Sequence, residues 1–136
     1  MPLRNLNHFL ILARDLEATR DFYVNVLGLT VGPRPPFEFP GYWLYLGDRA
    51  VVHLAGRRDD RGDRGDRGTS GTGPIDHVAF EASGLKDMVS RLEWHAVAHR
   101  HRKVPGQGLH QVFIEDPDGV TIELNFSAAE GAELEA

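Results

Sequence analysis

The chain has 136 residues, 41 % hydrophobic and 26 % charged, which suits one soluble domain able to bury a real core. Its formal net charge of −5, with basic residues interleaved among acidic ones, argues against a nucleic-acid partner. Cysteine is absent, which excludes disulfides and thiolate metal sites, so a bound metal has to be held by imidazole, carboxylate or water.

Taken in order, the chain starts Met-Pro-Leu-Arg-Asn, without the apolar run of a secretion signal. Nowhere does it reach the roughly 18 unbroken apolar residues of a membrane span, so a cytoplasmic protein with no membrane partner is expected. Leu6 to Leu12 is nearly continuous in apolar residues and predicts a strand covered on both faces, interrupted only by His8. Asp15 can cap a helix from Leu16 to Leu27, with Leu16, Phe22, Tyr23 and Val26 as its apolar stripe and Gly28 as its stop. A short strand at Thr30-Val31 leads into a stretch with four prolines, from Gly32 to Gly41, which predicts a stiff aromatic loop. Tyr42 to Leu46 and Ala50 to Ala55 read as a hairpin.

Arg57 to Gly73 contains no apolar residue and predicts a linker of balanced charge between two halves. Its Arg-Gly-Asp triplets, from Arg61 and from Arg64, are read as part of that linker and not as adhesion signals. Beyond it, Pro74-Ile75-Asp76-His77-Val78-Ala79-Phe80 predicts a strand. A helix follows, capped by Ser83 and ending near Trp94-His95, with His95 able to take a left-handed position. Val97 to Val104 reads as an exposed edge strand with His99 and His101 on one face. Leu109 to Glu115 and Val120 to Phe126 read as two more strands around the turn Asp116-Pro117-Asp118-Gly119. The polar segment 128–136 is expected to fray.

The order βαβββ thus occurs twice, in module 1 over about 5–56 and module 2 over about 74–127. His77 lies 69 positions after His8, and Glu123 lies 70 after His53, so four potential metal ligands occupy equivalent places. Two neutral imidazoles and a carboxylate leave a divalent ion with residual positive charge and open positions. Such an ion acts as a Lewis acid on a substrate that chelates it through adjacent oxygens. A lone strand histidine is more often a satisfied structural residue, but matched positions in a duplication are harder to explain that way. Glu123, among aliphatics, would be costly to bury without a cation.

Three stretches carry a family resemblance. They are Leu6-Asn7-His8 with Asp15 to Tyr23 and Leu27-Gly28-Leu29, then Ile75 to Phe80, and Asp116-Pro117-Asp118-Gly119 running into Ile122-Glu123-Leu124. In that order and spacing the chain resembles the vicinal oxygen chelate superfamily of glyoxalase I, bleomycin-resistance proteins and extradiol dioxygenases. The resemblance implies an α+β fold of two tandem βαβββ modules forming a cup-shaped mixed sheet. It also implies one divalent metal ion per site (Fe, Mn, Ni, Co or Zn) on His8, His77 and Glu123. His53 stands where glyoxalase I typically has a glutamate, and is expected as a fourth ligand, a general base or a pocket donor. His53 and Glu123 are the expected catalytic pair, with Phe37, Trp43, Tyr45 and His110 in the substrate pocket. The function expected is a metal-dependent lyase, isomerase or ring-cleaving dioxygenase acting on a small molecule, as a homodimer. The rival is a metal-free drug-binding protein of the bleomycin-resistance type.

Overall fold

In the computed structural model, which describes residues 2, 4–56 and 72–135, the repeat in the sequence becomes a repeat of structure. The chain divides into Met1–Thr69 and Ser70–Ala136. The first unit holds β1 (Phe9–Ala13), α1 (Leu16–Asp21), β2 (Thr30–Gly32), β3 (Gly41–Leu46) and β4 (Arg49–Gly56). The second holds β5 (Val78–Glu81), α2 (Leu85–Trp94), β6 (Arg100–Lys103), β7 (His110–Glu115), β8 (Thr121–Phe126) and α3 (Ala128–Glu135). Each unit has a four-stranded mixed sheet, in the orders β1-β4-β3-β2 and β5-β8-β7-β6. In both, the first strand runs parallel to the last and the remaining pairs are antiparallel. The α+β class and the duplicated architecture expected from the sequence are therefore present.

Alternation along the strands sorts each sheet into two faces. On β4, Val52 and Leu54 are buried beside Ile11, Tyr23, Val26 and Leu44, which turns His53 to the other face. On β8, Ile122, Leu124 and Phe126 are buried beside Leu85, Leu92, Val112 and Ile114, which turns Glu123 the same relative way. Full burial of a side chain such as Leu54 or Phe126 contributes roughly 1.5–3 kcal/mol, so the core faces fix the register and thereby the direction of the polar residues between them.

Several local expectations are corrected. The Leu6–Leu12 stretch does not form one strand covered on both sides: β1 begins at Phe9, and Leu6 and Leu10 are exposed. Asp15 does cap α1, its Oδ1 accepting from the Ala18 amide at 3.0 Å, but the helix widens to a π-turn over Phe22–Val26 before Gly28 ends it at φ 84°. In the second unit Gly84, not Ser83, precedes α2, and the left-handed residue after it is Ala96, not His95. The segment expected to fray is the helix α3, and it has a job. Glu130 Oε1 accepts from the amides of Gly84 and Leu85 at 2.8 and 2.9 Å, which caps α2 from a distance in sequence. The expected linker residues 57–71 lie outside the described residues.

Candidate functional site

The polar face of the second sheet is organised by strand register. Parallel pairing sets Ala79 against Glu123, and His77 precedes Ala79 by one two-residue period, so His77 and Glu123 share a face. His77 Nε2 and Glu123 Oε1 lie 3.2 Å apart. His77 Nδ1 donates to Asp76 Oδ2 at 2.7 Å, which fixes the tautomer with its proton on Nδ1 and aims the Nε2 lone pair at the carboxylate. Two acceptors that close require a positive charge between or on them, either a second ring proton or a bound cation. Two donors at right angles around a divalent ion, each bonded at about 2.1 Å, are about 3 Å apart, so the separation fits an ion held by both.

The other carboxylate oxygen is already occupied. Glu123 Oε2 accepts from Asn125 Nδ2 at 2.8 Å, Asn125 Oδ1 accepts from Gln111 Nε2 at 2.9 Å, and Gln111 Oε1 accepts from Arg102 Nε at 3.1 Å. This chain of Arg102, Gln111 and Asn125 holds Glu123 with Oε1 alone directed at His77. Sequence reading missed all three residues. Alternation signalled one of them, because Asn125 lies two residues after Glu123 on the same face, whereas Gln111 and Arg102 are brought beside it only by strand register.

The first unit repeats the device with different chemistry. Asn7 Oδ1 accepts from His8 Nδ1 at 2.8 Å, as Asp76 does for His77, so again the residue before the histidine leaves Nε2 free. His53 shares that face, since Leu10 pairs with His53 and His8 is two residues before Leu10. Its Nε2 donates to the Ala50 carbonyl at 3.1 Å, which leaves Nδ1 as its lone-pair nitrogen. The His53 ring is stacked between His8, at 3.7 Å, and Trp43, at 4.0 Å. Burial, and then the neighbouring His8, lower its proton affinity, against the opposing pull of the Ala50 carbonyl. Neutral imidazole is the form a metal requires.

Among the described residues no three His, Asp or Glu side chains are gathered into one metal-binding group. The donors expected together instead come as a pair in each unit, His8 with His53 and His77 with Glu123. The donor types and their held tautomers fit a divalent ion.

Trp43, Tyr45 and Phe37 line a groove of about 680 Å³ in the first unit, with His8, Phe39 and His53. Tyr45 gives its hydroxyl to the Pro33 carbonyl at 2.6 Å, so it serves there as wall. His110 is not part of such a surface, which corrects its expected place in the pocket. It alternates with Gln111 and Phe113, falls on the core face with Val112 and Ile114, and lies against Gly131 of α3. Its Nε2 meets His101 Nδ1 at 2.7 Å, and His101 Nε2 meets His99 Nδ1 at 2.9 Å.

Comparison with known proteins identifies the family. Residues 5–124 match the model of the Glyoxalase/Bleomycin resistance protein/Dioxygenase superfamily, and the chain belongs to that family. It is 28 % identical over 128 residues to Glyoxylase I 4 of Arabidopsis thaliana, covering 91 % of this chain and 71 % of that one. It is 29 % identical over 129 residues to the mitochondrial methylmalonyl-CoA epimerase of Bos taurus, covering 90 % and 74 %. Among solved structures, a glyoxylase/bleomycin resistance protein/dioxygenase domain from a Frankia species superposes with a TM-score of 0.70 at 17 % identity, over 92 % of this chain and 98 % of that one. No helix among the described residues is long and apolar enough to cross a membrane.

Proposed function

We propose that this protein is a metal-dependent enzyme acting on a small substrate that chelates a divalent ion through adjacent oxygens. The observation that carries the reading is the 3.2 Å approach of His77 Nε2 to Glu123 Oε1, with the other nitrogen and the other oxygen already committed to Asp76 and Asn125. His77 supplies an Nε2 donor and Glu123 a single carboxylate oxygen in the second unit, and the first unit offers its own pair, His8 Nε2 and His53 Nδ1, as further donors or a base. The ion, when bound, supplies Lewis-acid stabilisation of negative charge developing on the chelating oxygens. The protein's own groups do the rest. Asp76 and Asn7 hold the imidazoles in one tautomer, the Arg102–Gln111–Asn125 chain keeps Glu123 oriented, and the aromatic groove of the first unit offers a wall for a planar or apolar frame.

Lyase or isomerase chemistry of the glyoxalase kind is favoured over ring cleavage, because the two relatives named above are a glyoxylase I and an epimerase. Two copies are expected to pair in solution, and the cytoplasm is the expected compartment. Ni(II)- or Zn(II)-loaded protein is assayed for turnover of hemithioacetals and epimerisation of 2-substituted acyl thioesters, and Fe(II)-loaded protein for oxygen uptake with catechols. Turnover in the first panel that disappears in Glu123→Ala and His77→Ala supports the proposal. Silence in both panels, with tight drug binding that survives Glu123→Ala, would leave a metal-free binding protein of the bleomycin-resistance type. The wide aromatic groove of the first unit is the observation that keeps that second reading in play.

A further inference from the structure

The aromatic groove of the first unit contains a cation that no carboxylate among the described residues neutralises. Arg34 stands in the proline-rich loop and lines the groove. Its guanidinium lies 5.2 Å from the ring centroids of both Phe37 and Phe39, and one Nη2 proton goes to the Phe39 carbonyl at 3.1 Å. The Nε is buried and has no hydrogen-bond partner. None of the ion pairs within the described residues involves Arg34. A guanidinium carries five N–H donors in a planar fork, and a buried donor left unpaired is both rare and costly. The loop is also shaped to hold it: a Cβ at Gly41 would collide with the Leu54 carbonyl and approach Arg34 Nη2 to 3.2 Å. The groove's other charged groups are Arg49, whose Nη2 is shared by Asn5 Oδ1 and the Leu6 carbonyl at 3.3 Å each, and Asp48. Two guanidiniums and one carboxylate therefore line a groove whose remaining wall is mostly aromatic and aliphatic.

We infer that Arg34 is the anion-recognising residue of this groove and that its ligand is a planar organic acid, a carboxylate carried on an aromatic frame. The rings of Phe37 and Phe39 restrict the guanidinium to one orientation and lower its hydration, so a carboxylate entering the groove gains a preorganised, charge-assisted fork. The frame fills the aromatic wall that a sugar or a bare phosphate would leave unmatched. This assignment names the substrate class for the groove described under Proposed function, but recognition by Arg34 does not require metal.

Calorimetric titration of metal-free protein with 2-naphthoate and with 2-naphthamide tests it, because the two probes share shape and differ in charge. The carboxylate is expected to bind about tenfold more tightly or better, and the Arg34 Nε–H resonance to move on its addition and not on addition of the amide. In Arg34→Gln the two probes are expected to bind alike, and Arg34→Lys is expected to restore part of the preference. A variant that merely loosened the loop would weaken both probes together and leave their ratio intact. Equal binding of the probes by the natural protein, no binding of either, or a ratio that survives Arg34→Gln would overturn the assignment. Discrimination in a protein that retains no metal would keep this inference and defeat the enzyme reading, and metal retention without discrimination would do the reverse.

Discussion

His77 and Glu123 lie 46 residues apart in sequence, and parallel pairing of β5 with β8 sets their Nε2 and Oε1 atoms 3.2 Å apart. The relationship depends on two supports outside the pair. Asp76 holds the far nitrogen of the histidine at 2.7 Å and Asn125 holds the far oxygen of the glutamate at 2.8 Å. Asn125→Ala is therefore expected to weaken metal retention by 10- to 100-fold, the usual range for a partner that orients a ligand, with little change in melting temperature. Equilibrium dialysis against Zn(II) checks it, and unchanged affinity would show that Glu123 needs no such orientation.

The cap that α3 provides to α2 is a second dependence. Removing the carboxylate that serves the Gly84 and Leu85 amides, in Glu130→Ala, is expected to cost about 1 kcal/mol, the usual value of a lost N-terminal cap. Glu130→Gln should cost less, since the amide oxygen still accepts. Urea denaturation measures both, and equal stability of Glu130→Ala and the natural protein would contradict the capping role.

Gly131 makes a prediction of opposite sign to helix propensity. An alanine inside a helix ordinarily gains close to 1 kcal/mol over glycine, but here the added Cβ would lie 2.9 Å from His110 Cβ and 3.1 Å from its Nδ1. Overpacking of that kind costs about 1–3 kcal/mol. Gly131→Ala is thus expected to destabilise the natural protein and to stabilise the His110→Ala variant, a reversal readable in melting temperature.

Acid sensitivity follows from two histidines. Burial first, then His8 for His53, and His110 followed by His99 for His101, hold both below the ordinary histidine value. The folded protein then takes up these protons less readily than the unfolded chain, whose histidines titrate near about 6.5. Their contribution to stability is complete above that value and is lost as the pH falls from it toward the folded values. Melting temperature is expected to stay level from pH 8 to 7 and to fall from pH 7 to 5, with a shallower fall in His101→Gln. A flat profile across that range would contradict the linkage.

Much of this arrangement was legible in the sequence, and the reason is periodicity. The match of His8 with His77 and of His53 with Glu123 gave equivalent positions, and alternation between Val52 and Leu54, or Ile122 and Leu124, turned the second pair away from the core. What alternation within one strand does not give is parity between strands. His110 looked like a pocket residue until register placed its neighbours Gln111 and Phe113 on the polar face instead. Polarity misled in the tail, where Glu130 reads as solvent-facing unless the two amides it serves, 45 and 46 residues earlier, are known. The stacking of His53 between His8 and Trp43 likewise arises from strand neighbours brought together only by β3–β4 and β1–β4 pairing.

The most direct test of the central claim is the metal content of the protein itself. Protein stripped with chelator, reloaded in turn with Fe(II), Mn(II), Ni(II), Co(II) or Zn(II) and desalted, is measured by elemental analysis beside His77→Ala and Glu123→Gln prepared identically. The account predicts about one retained ion per chain for at least one of these metals, and a loss of that ion in both variants. Retention of no metal by the natural protein, or equal retention by His77→Ala, would contradict it.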